Sequence, residues 1–241
     1  MITHVRLFTS ERDRDENVRL CAEFKRRGIV VTHTNSRKRP RDFDRHSTMA
    51  VGDIEFVCAM LDTIITHHPP NDYPEPLRMF LGRRVWLDTF ANVRQQRRSL
   101  QQPPLFIKPA TRLKAFEGFV YTGSERVKTR YSDLVWCSDV VQIVAEYRVF
   151  VTYGVVRGVV AYDGDSNRWP LDMSVVHACV EAWHKSSSGS DYDGYVVDFG
   201  VINDGRTLLI EVNDGFAFGG YGVSESVHVD VLLARWSQLF R

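Results

Sequence analysis

The sequence of 241 residues has few cysteines, no long apolar segment and almost no net charge. Its four cysteines lie far apart and form no C-x-x-C pair, so we expect free thiols in a reducing compartment. No apolar run approaches the roughly 20 residues that a membrane-spanning helix needs. The N-terminus mixes charged residues with short strand-like segments and has no signal-peptide core. These absences predict a cytoplasmic protein.

Motifs of covalent catalysis and of metal binding by histidine are also missing. There is no nucleophile elbow and no Cys–His arrangement, and the eight histidines are scattered. His67 and His68 stand beside two prolines, a context typical of a loop and not of a metal site. The sequence therefore gives no signal of a protein nucleophile or of a histidine-bound metal.

The overall charge of +1 conceals an uneven distribution. Residues 1–100 contain 18 Lys and Arg against 13 Asp and Glu, whereas the remaining residues contain 13 against 17. The densest basic stretch, residues 37–41, is followed at once by Asp42 and Asp44, which favours a solvated loop over a nucleic-acid patch. We therefore do not expect a nucleic-acid partner.

Two apolar segments that end in oxygen-bearing side chains are the most informative feature. Asp198 follows one of them, and Glu211 and Asn213 lie in the other. Between them, residues 202–206 contain the Asn-Asp-Gly sequence of a tight hairpin turn, which predicts that the two strands pair. Pairing would bring the three side chains together, and Mg²⁺ prefers such oxygen ligands. The sequence therefore predicts a magnesium site; the alternative is an acidic hairpin in solvent.

The alternation of side chains along a strand refines this prediction. Glu211 and Asn213 should point to one face, while Ile210 and Val212 should point into the core.

Two lysines are placed to meet a phosphate. Lys108 ends an apolar strand, so its ammonium group should emerge at the end of the sheet. Lys114 follows six positions later, where a loop could hold a second cation over the phosphates. A solvated lysine in a surface hairpin is the alternative for Lys114.

Glu146 and Arg148 alternate with apolar residues along one predicted strand and therefore share a face. A preorganised arginine stabilises negative charge during phosphoryl transfer. The alternative is that the two side chains simply neutralise each other.

The chain as a whole has an α+β pattern. A strand–helix–strand start predicts a small α/β domain over residues 1–100, with a helix over residues 87–98 at its end. The Pro-rich residues 101–104 mark the division, and strands dominate residues 101–241, which form the second predicted domain. A glycine-rich loop, residues 215–222, precedes a predicted terminal helix.

In their order and spacing, these segments closely resemble the ATP-grasp fold, in its small members associated with phages and bacteria. The resemblance covers about residues 100 to 225 and rests on Phe106-Ile107-Lys108-Pro109, Lys114, Phe116-Glu117-Gly118, Glu146-Tyr147-Arg148-Val149-Phe150-Val151, Asp198-Phe199-Gly200, Glu211-Val212-Asn213-Asp214 and Tyr221-Gly222. It implies two α+β lobes that hold ATP, preceded by a small α/β pre-ATP-grasp domain.

The resemblance also implies roles for single residues. Lys108 and Lys114 resemble the lysines that contact the ATP phosphates, and Arg148 resembles the cation for the transferred phosphoryl group. Residues 136–141 would form the hinge that holds adenine, with Trp136, Val140 and Val141 in contact. Glu146 would bind the ribose. Asp198, Glu211 and Asn213 resemble the magnesium ligands.

The implied function is an ATP-dependent carboxylate ligase. A carboxylate on a small molecule, peptide or protein would form an acyl-phosphate, which an amine or another nucleophile would capture to form an amide or peptide bond. ATP-dependent phosphotransfer to a hydroxyl is one alternative, and a non-catalytic nucleotide-binding module is another. The sequence identifies neither the carboxylate nor the nucleophile, and it does not reveal the oligomeric state.

Overall fold

The computed structural model describes residues 1–9, 14–61, 72–98, 102–111, 115–189 and 192–241. Within these ranges the chain forms one parallel sheet, two antiparallel sheets and the helices that pack on them. This architecture confirms the predicted α+β class.

The N-terminal parallel sheet has the strand order β2-β1-β3. Its elements are β1 (His4–Phe8), α1 (Arg14–Arg26), β2 (Val30–Thr34), β3 (Thr48–Val51) and α2 (Ile54–Leu61). Buried side chains of β1, including Val5 and Leu7, pack with Phe24 of α1 and with Trp236 near the C-terminus of the chain. The small α/β unit predicted from the strand–helix–strand start is therefore present, and its core continues into the C-terminal helix.

The first antiparallel sheet has the strand order β4-β7-β5-β6. A 3-10 helix (Glu75–Phe80) precedes it, and its elements are β4 (Val85–Thr89), α3 (Phe90–Arg98), β5 (Leu105–Pro109), β6 (Phe119–Tyr121) and β7 (Leu134–Asp139). The prediction of a helix over residues 87–98 is wrong for its first turn, because β4 pairs with β7 there and the helix begins at Phe90. Residues 85–89 thus share a sheet with residues 105–139, across the division predicted near residue 100. That division stays a prediction.

The second antiparallel sheet has the strand order β11-β10-β8-β9. Its elements are β8 (Ile143–Thr152), β9 (Val155–Gly164), α4 (Met173–Lys185), β10 (Gly194–Ile202), β11 (Thr207–Asp214) and α5 (Glu225–Leu239). Asp172 and Ser224 cap the N-termini of α4 and α5 by accepting backbone N–H groups. Because α4 covers one face of this sheet and α5 lies against part of the other, the remaining area of the second face is where a site can form.

Residues 140–142 connect β7 of the first antiparallel sheet to β8 of the second. The cysteines are free thiols, as expected, and burial raises the pKa of the Cys179 thiol to about 12. Among the residues that the structure describes, no helix is both long and apolar enough to cross a membrane.

A candidate active site shared by the two antiparallel sheets

The predicted convergence of Asp198, Glu211 and Asn213 is present. The Ile202 N–H donates to the Arg206 carbonyl and the Gly205 N–H donates to the Ile202 carbonyl, which closes the predicted turn, and strand pairing then sets Asp198 opposite Glu211. The Asn213 amide nitrogen donates to Asp198 Oδ2 at 3.1 Å and to Glu211 Oε1 at 3.0 Å. One amide group therefore lies within hydrogen-bond reach of both carboxylates.

A β-bulge in β11 corrects one detail of the sequence prediction. The pairing shifts after Asp198, so Phe199 pairs with Leu209 and leaves Ile210 as the extra residue. Leu209 and Val212 are buried in the core, whereas Ile210 is half-buried and lies against Gly200. The prediction that Ile210 points into the core is wrong because the bulge interrupts the alternation on which it rested.

Arg148 and Asp198 form a buried bidentate pair between neighbouring strands. Arg148 Nε and Nη2 donate to the two oxygens of Asp198 at 2.8 and 2.7 Å, and Nη1 donates to the Gly219 carbonyl at 3.0 Å. Burial raises the pKa of Asp198 to about 6, and the Arg148 guanidinium opposes that rise. The pair fixes the position of a carboxylate that has almost no contact with solvent.

Lys108 connects the two antiparallel sheets. Its ammonium group contacts Glu211 and lies 3.1 Å from Asp72 Oδ1 and 4.6 Å from the centroid of the Tyr73 ring. Burial would raise the pKa of Glu211, but the adjacent ammonium group holds it below its usual value. Burial would likewise lower the pKa of Lys108, and the charge of Glu211 raises it instead. Lys108 is therefore a buried cation between two carboxylates.

Asp72 and Tyr73 are site residues that the sequence did not reveal. They lie in the Pro-rich residues 69–76, where the composition indicates only a break between elements. In the structure, the Val212 N–H donates to the Asp72 carbonyl at 3.0 Å, which docks this segment on β11. The local sequence does not predict such a contact, because the contact depends on the pairing of distant parts of the chain.

Glu146 and Arg148 share a face, as predicted, but each binds a different partner. The Tyr162 hydroxyl donates to Glu146 Oε2 at 2.6 Å, whereas Arg148 binds Asp198. The Tyr162 ring stacks on Tyr221 with centroids 4.6 Å apart. The alternative that Glu146 and Arg148 neutralise each other therefore does not describe this arrangement.

The predicted hinge, residues 136–141, needs a correction. Trp136 lies inside β7, opposite Lys108 of β5, and its ring edge meets Tyr73 with centroids 5.1 Å apart. The strand continues to residue 139, so the connection between the sheets contains Val140 and Val141. The contact of these residues with adenine stays a prediction. Lys114 lies outside the residues that the structure describes.

The glycine-rich loop, residues 215–222, fastens the N-terminal unit to Arg148. Its Gly220 N–H donates to Glu16 Oε2 of α1 at 3.0 Å, and the neighbouring Gly219 carbonyl accepts from Arg148. A Cβ on Gly220 would lie 2.6 Å from His228 Nδ1, so a side chain at that position would force the loop away from α5. The sequence indicated a loop here, but it did not predict the hydrogen bonds that join this loop to Glu16 and Arg148.

The donor set suits a hard divalent cation. In the described part of the chain, no group of three His, Cys, Asp or Glu side chains could hold a metal ion. However, two carboxylates and an Asn amide group meet at one point, and water and phosphate oxygens usually complete the coordination of Mg²⁺. Around that point lie the carboxylates of Asp72, Glu146, Asp198 and Glu211 and the cations Lys108 and Arg148, and Arg83 donates to the carbonyl of Ile210 next to Glu211. Carboxylates outnumber cations, which favours a bound cation.

Comparison with known proteins agrees with this geometry. A family model described as the ATP-grasp domain, R-2K clade family 2, matches residues 80–231. No curated protein matches the sequence.

Several solved structures are similar in fold. One is the ATP-grasp ligase PsnB complexed with a minimal precursor, with a TM-score of 0.55 and 11% identity over 97% of this chain and 100% of that chain. Another is the macrocyclase MdnC from Microcystis aeruginosa MRC bound with the precursor peptide MdnA. Its TM-score is 0.57, with 12% identity over 95% of this chain and 99% of that chain. A third is N5-carboxyaminoimidazole ribonucleotide synthetase from Thermotoga maritima. Its TM-score is 0.57, with 13% identity over 97% of this chain and 76% of that chain. These likenesses confirm the predicted fold.

Proposed function

The chain belongs to the ATP-grasp domain family, in family 2 of the R-2K clade, and from this premise we propose that it is an ATP-dependent carboxylate ligase. One observation carries the proposal: Lys108 of one antiparallel sheet meets Glu211 of the other, beside Asp198, Asn213 and Arg148. The similar structures include ligases with peptide precursors and with small molecules, which supports the reaction class but leaves the substrate open.

In the proposed reaction, an oxygen of the substrate carboxylate attacks the γ-phosphorus of ATP. The bond between that phosphorus and the bridging oxygen breaks, ADP leaves and an acyl-phosphate forms. An amine nitrogen then attacks the acyl carbon, the carbon–oxygen bond to phosphate breaks, and the amine loses a proton as the amide forms. Each step needs charge stabilisation and positioning, and neither needs a protein nucleophile.

We assign Asp198, Glu211 and Asn213 to Mg²⁺. The Asn213 amide, whose nitrogen donates to both carboxylates in the structure, would turn its oxygen toward the ion. The ion would supply charge neutralisation and orientation of the phosphates. Arg148 holds Asp198 in its ligand position and adds positive charge beside the reacting carboxylate.

Lys108 would exchange its partner when the nucleotide binds. In the structure, its ammonium group neutralises Glu211 and Asp72, as a buried cation must be neutralised. The phosphates would offer Lys108 new anionic partners, and the metal would do the same for Glu211. Lys108 and Glu211 would thus neutralise each other before the substrates bind and would each have a new partner afterwards.

The remaining predicted contacts complete the proposal. Glu146 binds the ribose, Trp136, Val140 and Val141 contact adenine, and Lys114 provides a second cation at the phosphates. The division into a pre-ATP-grasp domain over residues 1–100 and an ATP-grasp domain over residues 101–241 belongs to the same proposal, as does a cytoplasmic location.

Calorimetry with ATP, in the presence and absence of Mg²⁺, tests the site. We expect magnesium-dependent binding by the native chain and its loss in Glu211→Gln. The matched control is Glu181→Gln, because Glu181 also pairs with a lysine but lies exposed on α4. Equal binding by both variants would contradict the assignment of Glu211.

Product analysis separates the ligase from its rivals. Hydroxylamine added with ATP and a carboxylate should yield ADP, phosphate and a hydroxamate, because it captures an acyl-phosphate. ADP with a phosphorylated acceptor would indicate a phosphotransferase instead. Magnesium-dependent ATP binding without any ADP release, whatever acceptor is supplied, would indicate a binding module.

A further inference from the structure

Two tyrosines, the half-buried Tyr162 and the exposed Tyr221, form an aromatic surface next to the reacting groups. The rings of Tyr162 and Tyr221 stack with centroids 4.6 Å apart and an angle of 17° between their planes. Tyr221 is 51% exposed. The Arg148 guanidinium carbon lies 4.7 Å from the centroid of the Tyr221 ring, so the surface adjoins the cation of the candidate site.

The backbone at Tyr221 places a tyrosine where smaller residues are favoured. Tyr221 and Gly222 have φ angles of 49° and 90°, and the Val223 N–H donates to the Gly220 carbonyl at 2.9 Å, as in a type I′ turn. The first central position of such a turn favours Asn, Asp or Gly, because a larger side chain is strained there. Tyr153 shares this φ and this exposure, but Tyr221 also stacks on Tyr162 and lies against Arg148, so these two contacts, and not the backbone, point to a ligand.

Hydrogen bonds from neighbouring residues hold both rings in place. Arg148 donates to the Gly219 carbonyl and the Gly220 N–H donates to Glu16, so both residues before Tyr221 are fastened. Tyr162 is fastened through the hydrogen bond from its hydroxyl to Glu146. A preorganised surface of this kind loses little entropy when it binds a ligand.

The position of the rings beside Arg148 selects the part of the substrate that they would contact. The proposed function places the reacting carboxylate beside Arg148, and Tyr221 lies against the Arg148 guanidinium, so the group attached to that carboxylate would meet the Tyr221 ring. A planar apolar group can stack on an exposed tyrosine ring. We propose, on the basis of the ligase function above, that Tyr221 binds the aromatic or other planar apolar group that carries the reacting carboxylate.

The variant Tyr221→Gly tests this proposal cleanly, because glycine adopts the positive φ without strain and removes only the ring. Tyr153→Gly is a closely matched control. Tyr153 has a φ angle of 51°, is 51% exposed and precedes a glycine, but it lies in the β8–β9 turn. The probes are acetate, benzoate and phenylacetate, with hydroxylamine as the nucleophile and ADP release as the readout, alongside calorimetry with ATP and Mg²⁺.

We expect the native chain and Tyr153→Gly to prefer the two aromatic carboxylates to acetate. Tyr221→Gly should lose at least about fivefold in kcat/KM for the aromatic carboxylates, the loss that corresponds to one aromatic contact. With acetate its loss should be smaller than with the aromatic carboxylates, and its affinity for ATP should stay within about twofold of the native value.

Three results would overturn the proposal. Equal losses with all three carboxylates would assign Tyr221 a general positioning role, and weaker ATP binding would assign its ring to the nucleotide. A native chain that binds ATP with Mg²⁺ but prefers acetate would exclude the substrate class while leaving the ligase function intact. If the native chain binds no ATP, the proposed function fails and the inference fails with it.

Discussion

Lys108 of β5 and Glu211 of β11 form an ion pair across 103 residues of sequence, and this contact joins the two antiparallel sheets. Both side chains have little contact with solvent, and Asp72 lies on the same ammonium group. The contact is therefore both a structural link and the point at which phosphates and metal are proposed to enter. Substitutions at this contact should therefore change the free energy of unfolding and the affinity for ATP in different ways.

Removal of the Lys108 charge should destabilise the free protein. Lys108→Met leaves the carboxylates of Asp72 and Glu211 partly buried without their cation, and breaking such a pair costs about 3–5 kcal/mol of the free energy of unfolding. The control is Lys185→Met, since Lys185 forms an exposed pair with Glu181 whose loss should cost less than about 1 kcal/mol. Urea denaturation measures both values. Similar losses in the two variants would show that the Lys108 contact does not stabilise the fold.

Asp72 should compete with the nucleotide for Lys108. Asp72→Asn removes one of the two carboxylates on the ammonium group, so we expect ATP with Mg²⁺ to bind about fivefold more tightly, a difference of ~1 kcal/mol. Calorimetry measures this change. The control is Asp204→Asn, because Asp204 pairs with Arg206 in an exposed turn far along the hairpin. Weaker binding by Asp72→Asn would indicate instead that Asp72 positions Lys108 or binds the metal itself.

His228 should make the stability of the protein depend on pH. Its ring is buried beside the glycine-rich loop, donates to the Phe218 carbonyl, and faces the charges of Arg148 and Arg19. Burial lowers the pKa of His228 from 6.5 to about 4. The unfolded chain therefore takes up a proton between these values while the folded chain does not, and the free energy of unfolding falls as the pH drops through this window.

The expected loss between pH 6.5 and 4 is about 3 kcal/mol from this one residue, at ~1.36 kcal/mol per pKa unit. Urea denaturation at several pH values measures it, and His228→Gln should flatten the dependence in this window. The raised pKa of Asp198 acts in the opposite direction, but it acts in both chains, so the difference between them isolates His228. A parallel dependence in the two proteins would contradict the assignment.

The sequence predicted the parts of this site that depend on local rules. A turn signature brings Asp198 to Glu211, and strand alternation sets Glu146 and Arg148 on one face. Contacts that depend on the packing of distant segments were not predictable in this way. Asp72 reaches Lys108 only because its segment docks on β11.

Two errors have the same cause. Ile210 does not lie on its predicted face because β11 has a bulge there. Residues 87–89 form a strand, and not a helix, because they pair with β7. In both cases, pairing between strands overrode the pattern within a single segment.

Glu16 should affect catalysis from outside the two antiparallel sheets. Its carboxylate accepts the Gly220 N–H, and the adjacent Gly219 carbonyl accepts from Arg148, so α1 helps to hold the loop that carries Tyr221. Glu16→Ala removes the acceptor, and we expect kcat to fall about tenfold, equivalent to ~1.4 kcal/mol of transition-state stabilisation, with ATP affinity unchanged. Glu16→Gln keeps an acceptor oxygen and should restore most of the rate. Because a merely destabilised protein would lose ATP binding and activity together, rescue by glutamine at constant ATP affinity separates positioning of the loop from loss of the fold. Equal defects in both variants would show that the charge of Glu16, and not its hydrogen bond to the loop, is what matters.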